Sequence, residues 1–312
     1  MFLAVPAAVH GVSSDTSSEQ TGAAADGNYE TSVNAASEGC GSLTAAPVIT
    51  AVVNAGSYRQ QDGIAMNTML AIFGSGFAPP GTSRVVGTSD ILENRFPETL
   101  ACVGVEIAGQ TAIMAYISDT QINVQAPTNL LFGPAEVEVR LNKGQPNEVK
   151  GKFSGVQVRT YSPAFFQFLP SLSIAAQIAP SYELLARPEV HPQGRAVKPG
   201  EVAILYGTGF GPTVPVWPAG EIPAFASKIR DPMTLRIGGV LLAQDDIIYA
   251  GLSPGSISGL YQINVRVPAT TPDGDIPVEV EIGGMRTQPG AFIPVRQVTT
   301  ISPGTPIVGP PQ

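Results

Sequence analysis

Hydrophobic and polar residues alternate every second position along much of this chain. In Gln121-Ile-Asn-Val-Gln-Ala-Pro127, Ile122 and Val124 fall on one face, and Gln121, Asn123 and Gln125 on the other. Glu136-Val-Glu-Val-Arg-Leu141 likewise turns Val137, Val139 and Leu141 to one side. A period of two predicts half-buried β-strands. The pattern returns in Tyr261-Gln-Ile-Asn-Val-Arg-Val-Pro268 and in Ile276-Pro-Val-Glu-Val-Glu-Ile282. Other stretches are short apolar runs that stop in a glycine turn, Leu70-Ala-Ile-Phe-Gly-Ser-Gly-Phe-Ala-Pro79 and Ala203-Ile-Leu-Tyr-Gly-Thr-Gly-Phe-Gly-Pro212. Further β-prone runs occupy 47–54, 103–107, 112–117, 156–160, 164–168, 234–237, 247–249 and 291–295. Many short strands with turn signals between them predict an all-β protein built of sandwiches. The polar pairs Gln121/Asn123 and Gln262/Asn264 are expected on solvent-facing sides of their sheets.

The two halves repeat one another. Gly209 follows Gly76 by 133 positions and Tyr249 follows Tyr116 by 133, whereas Gln262 follows Gln121 by 141 and Val278 follows Val137 by 141. The change of offset falls within 250–261, a loop that replaces 117–120. Insertions belong in loops between core strands, so the shift marks a duplicated fold. The organisation expected is an amino-terminal arm (1–46), a first sandwich (47–161), a second sandwich (162–296) and a carboxy-terminal tail (297–312).

Composition agrees with this and narrows the function. Hydrophobic residues make up 43% and charged residues 13% of 312, with 34 glycines and 29 prolines. That leaves little room for long amphipathic helices. A formal charge of −8 disfavours nucleic acid, which requires a basic face to neutralise phosphates. No apolar run approaches the roughly 20 residues of a membrane-spanning helix. The arm opens on Met1-Phe-Leu-Ala-Val-Pro-Ala-Ala-Val-His10 and then turns polar, small and aperiodic through 13–27. Its opening reads either as the end of a signal peptide or as an ordered apolar arm of the mature protein. In the second reading Phe2, Leu3, Val5, Val9 and Val12 form an assembly strand for an exposed sheet edge. Cys40 and Cys102, the two cysteines, are either a disulfide that tethers the arm to the first sandwich or two unrelated thiols. A bridge suits an oxidising compartment, and closing a loop of this length would stabilise the fold by about 4 kcal/mol.

Several motifs carry a likeness to a known family: Gly-Thr-Gly-Phe-Gly-Pro at 207–212, Tyr-Ala-Gly-Leu-Ser-Pro-Gly at 249–255, the strand at 259–268, Gly274-Asp-Ile-Pro-Val-Glu-Val280 and Val53-Asn-Ala-Gly-Ser-Tyr58. Together they resemble the paired carboxy-terminal module of uncharacterised secreted bacterial proteins of the acidobacterial type. Each half is similar to an IPT/TIG-type immunoglobulin-like domain. The resemblance implies export and a tandem immunoglobulin-like fold, and brings no functional residues with it.

The remaining chemistry is sparse. The glycine turns lack the following helix and lysine that a phosphate loop requires, since Pro79 and Pro212 come next. Asp273 and Asp275, with Asp245 and Asp246, fall short of a calcium-loop spacing, and solvated turn carboxylates account for them. Two distant histidines, His10 and His191, sit in no nucleophile context. No catalytic, cofactor or metal residue is therefore assigned. Trp217, in a proline-rich loop, with Leu252 and Ile257 in the inserted loop, forms the expected contact surface for a glycan or protein, unless the tryptophan merely covers its own core. The expectation is an exported, non-enzymatic structural protein that self-associates into a filament or surface assembly; the alternative is an adhesion module binding through the Trp217 loops.

Overall fold

The computed structural model describes residues 43–296. The first half contains β1 (Val48–Asn54), β2 (Met69–Ser75), β3 (Ser83–Val85), β4 (Gly104–Ile107), β5 (Gln110–Thr111), β6 (Ile113–Ser118), β7 (Gln121–Gln125), β8 (Gly133–Leu141) and β9 (Val149–Val158). The second half continues with β10 (Ala164–Phe165), β11 (Gln167–Phe168), β12 (Ser173–Ile174), β13 (Ala176–Ala179), β14 (Glu183–Leu184), β15 (Val202–Thr208) and β16 (Thr213–Val214). It ends with β17 (Lys228–Ile229), β18 (Met233–Ile237), β19 (Val240–Leu241), β20 (Ile247–Leu252), β21 (Tyr261–Arg266), β22 (Gly274–Ile282), β23 (Met285–Arg286) and β24 (Phe292–Val295). Sheets β1-β2-β7-β6-β3 and β5-β4-β8-β9 close over one core, and β14-β13-β15-β21-β20-β17-β16 and β11-β12-β24-β22-β18-β19 close over another. The all-β sandwiches expected from the strand pattern are the ones observed, and an immunoglobulin-like fold is what the resemblance implies. No helix among the described residues is long and apolar enough to cross a membrane.

The duplication extends to hydrogen-bond register. Met69 pairs with Gln125 and Phe73 with Gln121; at the matching places Val202 pairs with Arg266 and Tyr206 with Gln262. Both copies interrupt the next ladder at the same point, between Met114 and Tyr116 and between Ile247 and Tyr249. A bulge kept in both copies belongs to the fold.

The repeated glycine turn has a packing cause. A methyl group on Gly74 would collide with the Val48 carbonyl and the Phe77 ring; one on Gly207 would collide with the Ala164 carbonyl and the Phe210 ring. Each phenylalanine folds back onto the end of its own strand and is fully buried. Gly76 and Gly209 then take φ of 75° and 76°, the left-handed region that glycine enters without steric cost. The motif is a plug that closes one end of each sandwich.

A third core joins the halves. Along β2, Leu70 and Ile72 enter the first core while Met69 and Ala71 point the other way; along β15, Ala203 and Leu205 enter the second core while Ile204 and Tyr206 point the other way. Those outward residues meet in a shared cluster with Val53, Ala55, Ile113, Phe166, Ala175 and Ile257. The molecule is therefore a stack of four sheets with three cores, and β2 and β15 are buried on both faces. Polar groups seal the seam. Asn54 Nδ2 donates to the Ser162 carbonyl (2.6 Å) and Oγ (3.0 Å), and the Met69 N–H donates to Thr208 Oγ1 (2.9 Å).

This packing corrects one expectation. Gln121, Asn123 and Gln125 do not face solvent; they are 4%, 1% and 0% exposed. The alternation was real, but on the polar side Gln125 bonds Ser258 and the Gly220 N–H of the second half, and Gln121 Nε2 donates to Asn123 Oδ1 (2.8 Å). Gln262 and Asn264, their counterparts, are half-buried.

On the outer face of the first sandwich, Arg140 bridges Glu106 (2.9 Å), Glu138 (2.6 Å) and Glu148 (3.6 Å), with Lys150 and Lys152 alongside. Burial pushes the Glu138 carboxyl up, but hydrogen bonds from Arg140 and Lys150 and their charges outweigh it and hold it below the usual range. The Gly144 N–H does the most to lower Glu148. A carboxyl lowered in the folded state contributes stability above its unfolded value, about 4.3, that disappears as pH falls through the folded one. Thermal denaturation between pH 7 and pH 2 is expected to show a steep acid loss, and Glu138→Gln is expected to flatten it.

Candidate functional site

The unduplicated loops, the natural places for function in a duplicated fold, sit at the seam. The segment after Trp217 runs across the first sandwich. Asn67 Nδ2 donates to the Trp217 carbonyl (2.9 Å), and the Ala219 N–H donates to Thr128 Oγ1 (2.7 Å). The Phe96 N–H donates to the Gly220 carbonyl (2.9 Å), and the Gly220 N–H donates to Gln125 Oε1 (2.8 Å). Asn94 and Ile222 exchange hydrogen bonds, and Arg95 pairs with Glu221 at 3.3 Å. The 250–261 insertion closes the other side. Ser258 Oγ accepts from Gln125 Nε2 (3.1 Å) and donates to the Pro218 carbonyl (2.7 Å). Gly259 lies so near the Asn67 carbonyl, Met69 Sδ and Gln125 that no side chain fits there. These two loops are a clamp that the first half lacks.

The contact loop expected from sequence is thus largely consumed inside the molecule. Leu252, 1% exposed, belongs to the second core, and Ile257, 6% exposed, to the shared core, so neither presents a surface to a partner. Trp217 is half-buried against the second core, edge-on to Phe225 at 5.1 Å between ring centroids. Its indole Nε1 is buried without a hydrogen-bond partner. Beside it Val214, Val216 and Phe225 are exposed, so an apolar patch remains where a single stacking platform was expected. Sequence reasoning missed Asn67, Thr128 and Gln125, which anchor the clamp. Their signal was available in part: polar residues at a strand end opposite a loop insertion are suited to tie that loop down.

Cys102 is disulfide-bonded. Cys40 and the assembly-strand residues Phe2, Leu3, Val5, Val9 and Val12 lie outside the described residues. Among the described residues no three His, Cys, Asp or Glu side chains gather as a metal site would require. Asp275 pairs with Arg187 at 2.7 Å, and Asp246 lies 3.7 Å from Arg266. Grooves open on the surface of the second half. One of about 390 Å³ runs along β20, and one of about 580 Å³ is lined by Arg187, Arg195, Lys198 and Arg296 with Glu189 and Asp273.

No family model matches the chain, and no curated protein does. Solved structures align with it at low identity. The full extracellular region of plexin A4 is 13% identical, with a TM-score of 0.27 over 83% of this chain and 16% of that one. The Bacteroides ovatus mixed-linkage glucan utilization locus SGBP-B, in complex with a mixed-linkage heptasaccharide, is 12% identical, with a TM-score of 0.30 over 80% and 45%. An I-band fragment of titin is 8% identical, with a TM-score of 0.20 over 81% and 64%. The chain spans less than two thirds of each of these proteins, and at such scores we draw no function from them.

Proposed function

We propose that this chain is an exported, non-enzymatic structural protein, a subunit of a cell-surface or extracellular filament that assembles through its N-terminal arm and its IPT/TIG-like domains. The observation that supports this reading most is the shared core. Two sandwiches joined by a flexible linker would bend at each repeat, whereas four stacked sheets hold one geometry. A fixed angle between the faces of a subunit is what a head-to-tail contact must repeat in order to propagate. A disulfide between Cys40 and Cys102 belongs to the same reading, since it would anchor the arm to that rigid body. The alternative, an adhesion module for a surface glycan or protein, is favoured by the exposed Val214, Val216 and Phe225 beside Trp217.

Electron microscopy and light scattering of the purified full chain decide between them. The expected result is concentration-dependent oligomers or filaments that are lost in a Leu3→Asp/Val5→Asp variant. Persistent monomers whose glycan or protein binding falls with Phe225→Ala would favour the adhesion reading instead.

A further inference from the structure

The two copies of the fold differ at one sheet edge. In the first sandwich, β3 covers the outer edge of β6 through three pairs: Ser83 with Ser118, Arg84 with Ile117 and Val85 with Tyr116. In the second, β17 covers β20 through a single pair, Lys228 with Gly251, which stands where Ser83 pairs with Ser118. The chain then leaves the edge: the Arg230 N–H donates to the Pro212 carbonyl (2.9 Å), and Pro232 leads into β18 in the opposite sheet. Among the described residues no strand faces 247–250 on that side. The groove of about 390 Å³ lies along this stretch. Its apolar lining includes Ile229, Met233 and Ile247, which are partly buried against the second core, and Ile248, 47% exposed. Asp231 in its wall is engaged by Arg230 (2.9 Å) and Tyr161 (2.7 Å), while the Lys228 ammonium has no carboxylate partner among the described residues.

We propose that this groove is the acceptor for the N-terminal segment of a second copy of the chain, which adds to the β20 edge as a strand. The inference rests on the assembly reading above and identifies the surface that the arm would occupy. An uncovered edge over an apolar floor is suited to strand addition, in which backbone hydrogen bonds supply affinity and alternate side chains supply specificity. Residues 2–5, ahead of Pro6, match the uncovered stretch in length, and Leu3 and Val5 fall on one face of an extended strand. The following 13–42 carries Asp15, Glu19, Asp26, Glu30 and Glu38 and neither lysine nor arginine, which complements the Lys228 ammonium, left without a carboxylate among the described residues. Fully extended, that stretch spans on the order of 100 Å, enough to reach a neighbouring molecule.

Complementation between two full-length variants tests the proposal. One carries Ile248→Glu in the groove, and the other Leu3→Asp/Val5→Asp in the arm. Each alone is expected to need at least about tenfold more protein to assemble than the wild type, the loss of about 1.4 kcal/mol of contact energy. Mixed, they retain one intact arm and one intact groove and are expected to form a capped 1:1 dimer by light scattering. Lys228→Glu, a change on an exposed side chain, should weaken assembly in the same direction and guards against misfolding as the cause. If the arm variant fails to assemble while both groove variants assemble like the wild type, the acceptor is elsewhere and the assembly reading stands. If the arm variant also assembles normally, or the wild type stays monomeric, both fall.

Discussion

Replacing Phe210 by alanine is expected to cost about 3–5 kcal/mol, the usual range for emptying a buried aromatic site. The ring is fully buried, packed against Phe165 at 5.9 Å and Tyr261 at 5.6 Å between centroids. It also occupies the space above Gly207 that no side chain can fill, so the surrounding strands have little freedom to collapse into the vacated volume. The Tyr261 hydroxyl donates to the Gly211 carbonyl in the same turn, and burial holds its phenol well above the ordinary range, so that it stays a donor. Losing the ring would expose this hydrogen bond to water. Phe77→Ala should behave alike in the first sandwich. Phe225→Ala, at a ring 56% exposed, should stay within about 0.5 kcal/mol. Urea denaturation followed by circular dichroism separates the two classes. Equal effects at Phe210 and Phe225 would contradict the plug.

The second large effect is expected at the shared core. Ile204→Asp places a carboxylate on a strand buried on both faces, beside Tyr206, Phe166 and Ala175. An unpaired charge in such a site costs about 3–5 kcal/mol. Its location should show in the shape of the transition as well as its midpoint. In the wild type the two sandwiches share a core and a clamp, so unfolding should be a single cooperative event. Trp217, the one tryptophan, reports it directly, because its loop is tied to the first sandwich through Asn67. Tryptophan fluorescence and far-ultraviolet circular dichroism should coincide in the wild type and separate in Ile204→Asp, with fluorescence moving at lower urea. Separate transitions already present in the wild type would show that the linker, not the core, holds the halves together.

Much of this architecture was legible in the chain because its signals are local. Alternation in 121–125 and 136–141 depends on the pleat alone, and a glycine turn ahead of a proline depends on backbone sterics. The offset of 133 that becomes 141 reports a loop insertion without reference to any contact. The function of the inserted loop was not legible in the same way. Ser258 and Gly259 read as ordinary turn residues; their partners in the first half, Gln125, Asn67 and Met69, are more than a hundred positions away. Gln121, Asn123 and Gln125 show why a polar face is ambiguous. A glutamine satisfied by Ser258 and the Gly220 N–H looks the same in sequence as one satisfied by water. One clue was present. Met69-Leu-Ala-Ile-Phe73 and Val202-Ala-Ile-Leu-Tyr206 break the alternation of their neighbours, as strands buried on both faces do.

By itself, then, the sequence determined the long strands, their turns, the duplication and the place where the copies differ, since each of these follows from the backbone and its nearest neighbours along the chain; short strands such as β3, β13 and β17, which pair through few residues, it did not. Tertiary structure alone decided that the two sandwiches stack face to face into a third core, that Leu252 and Ile257 are buried within the molecule, and that no strand among the described residues covers the β20 edge at 247–250. Those outcomes depend on which surfaces meet, and side-chain polarity does not say whether a face meets water or another sheet.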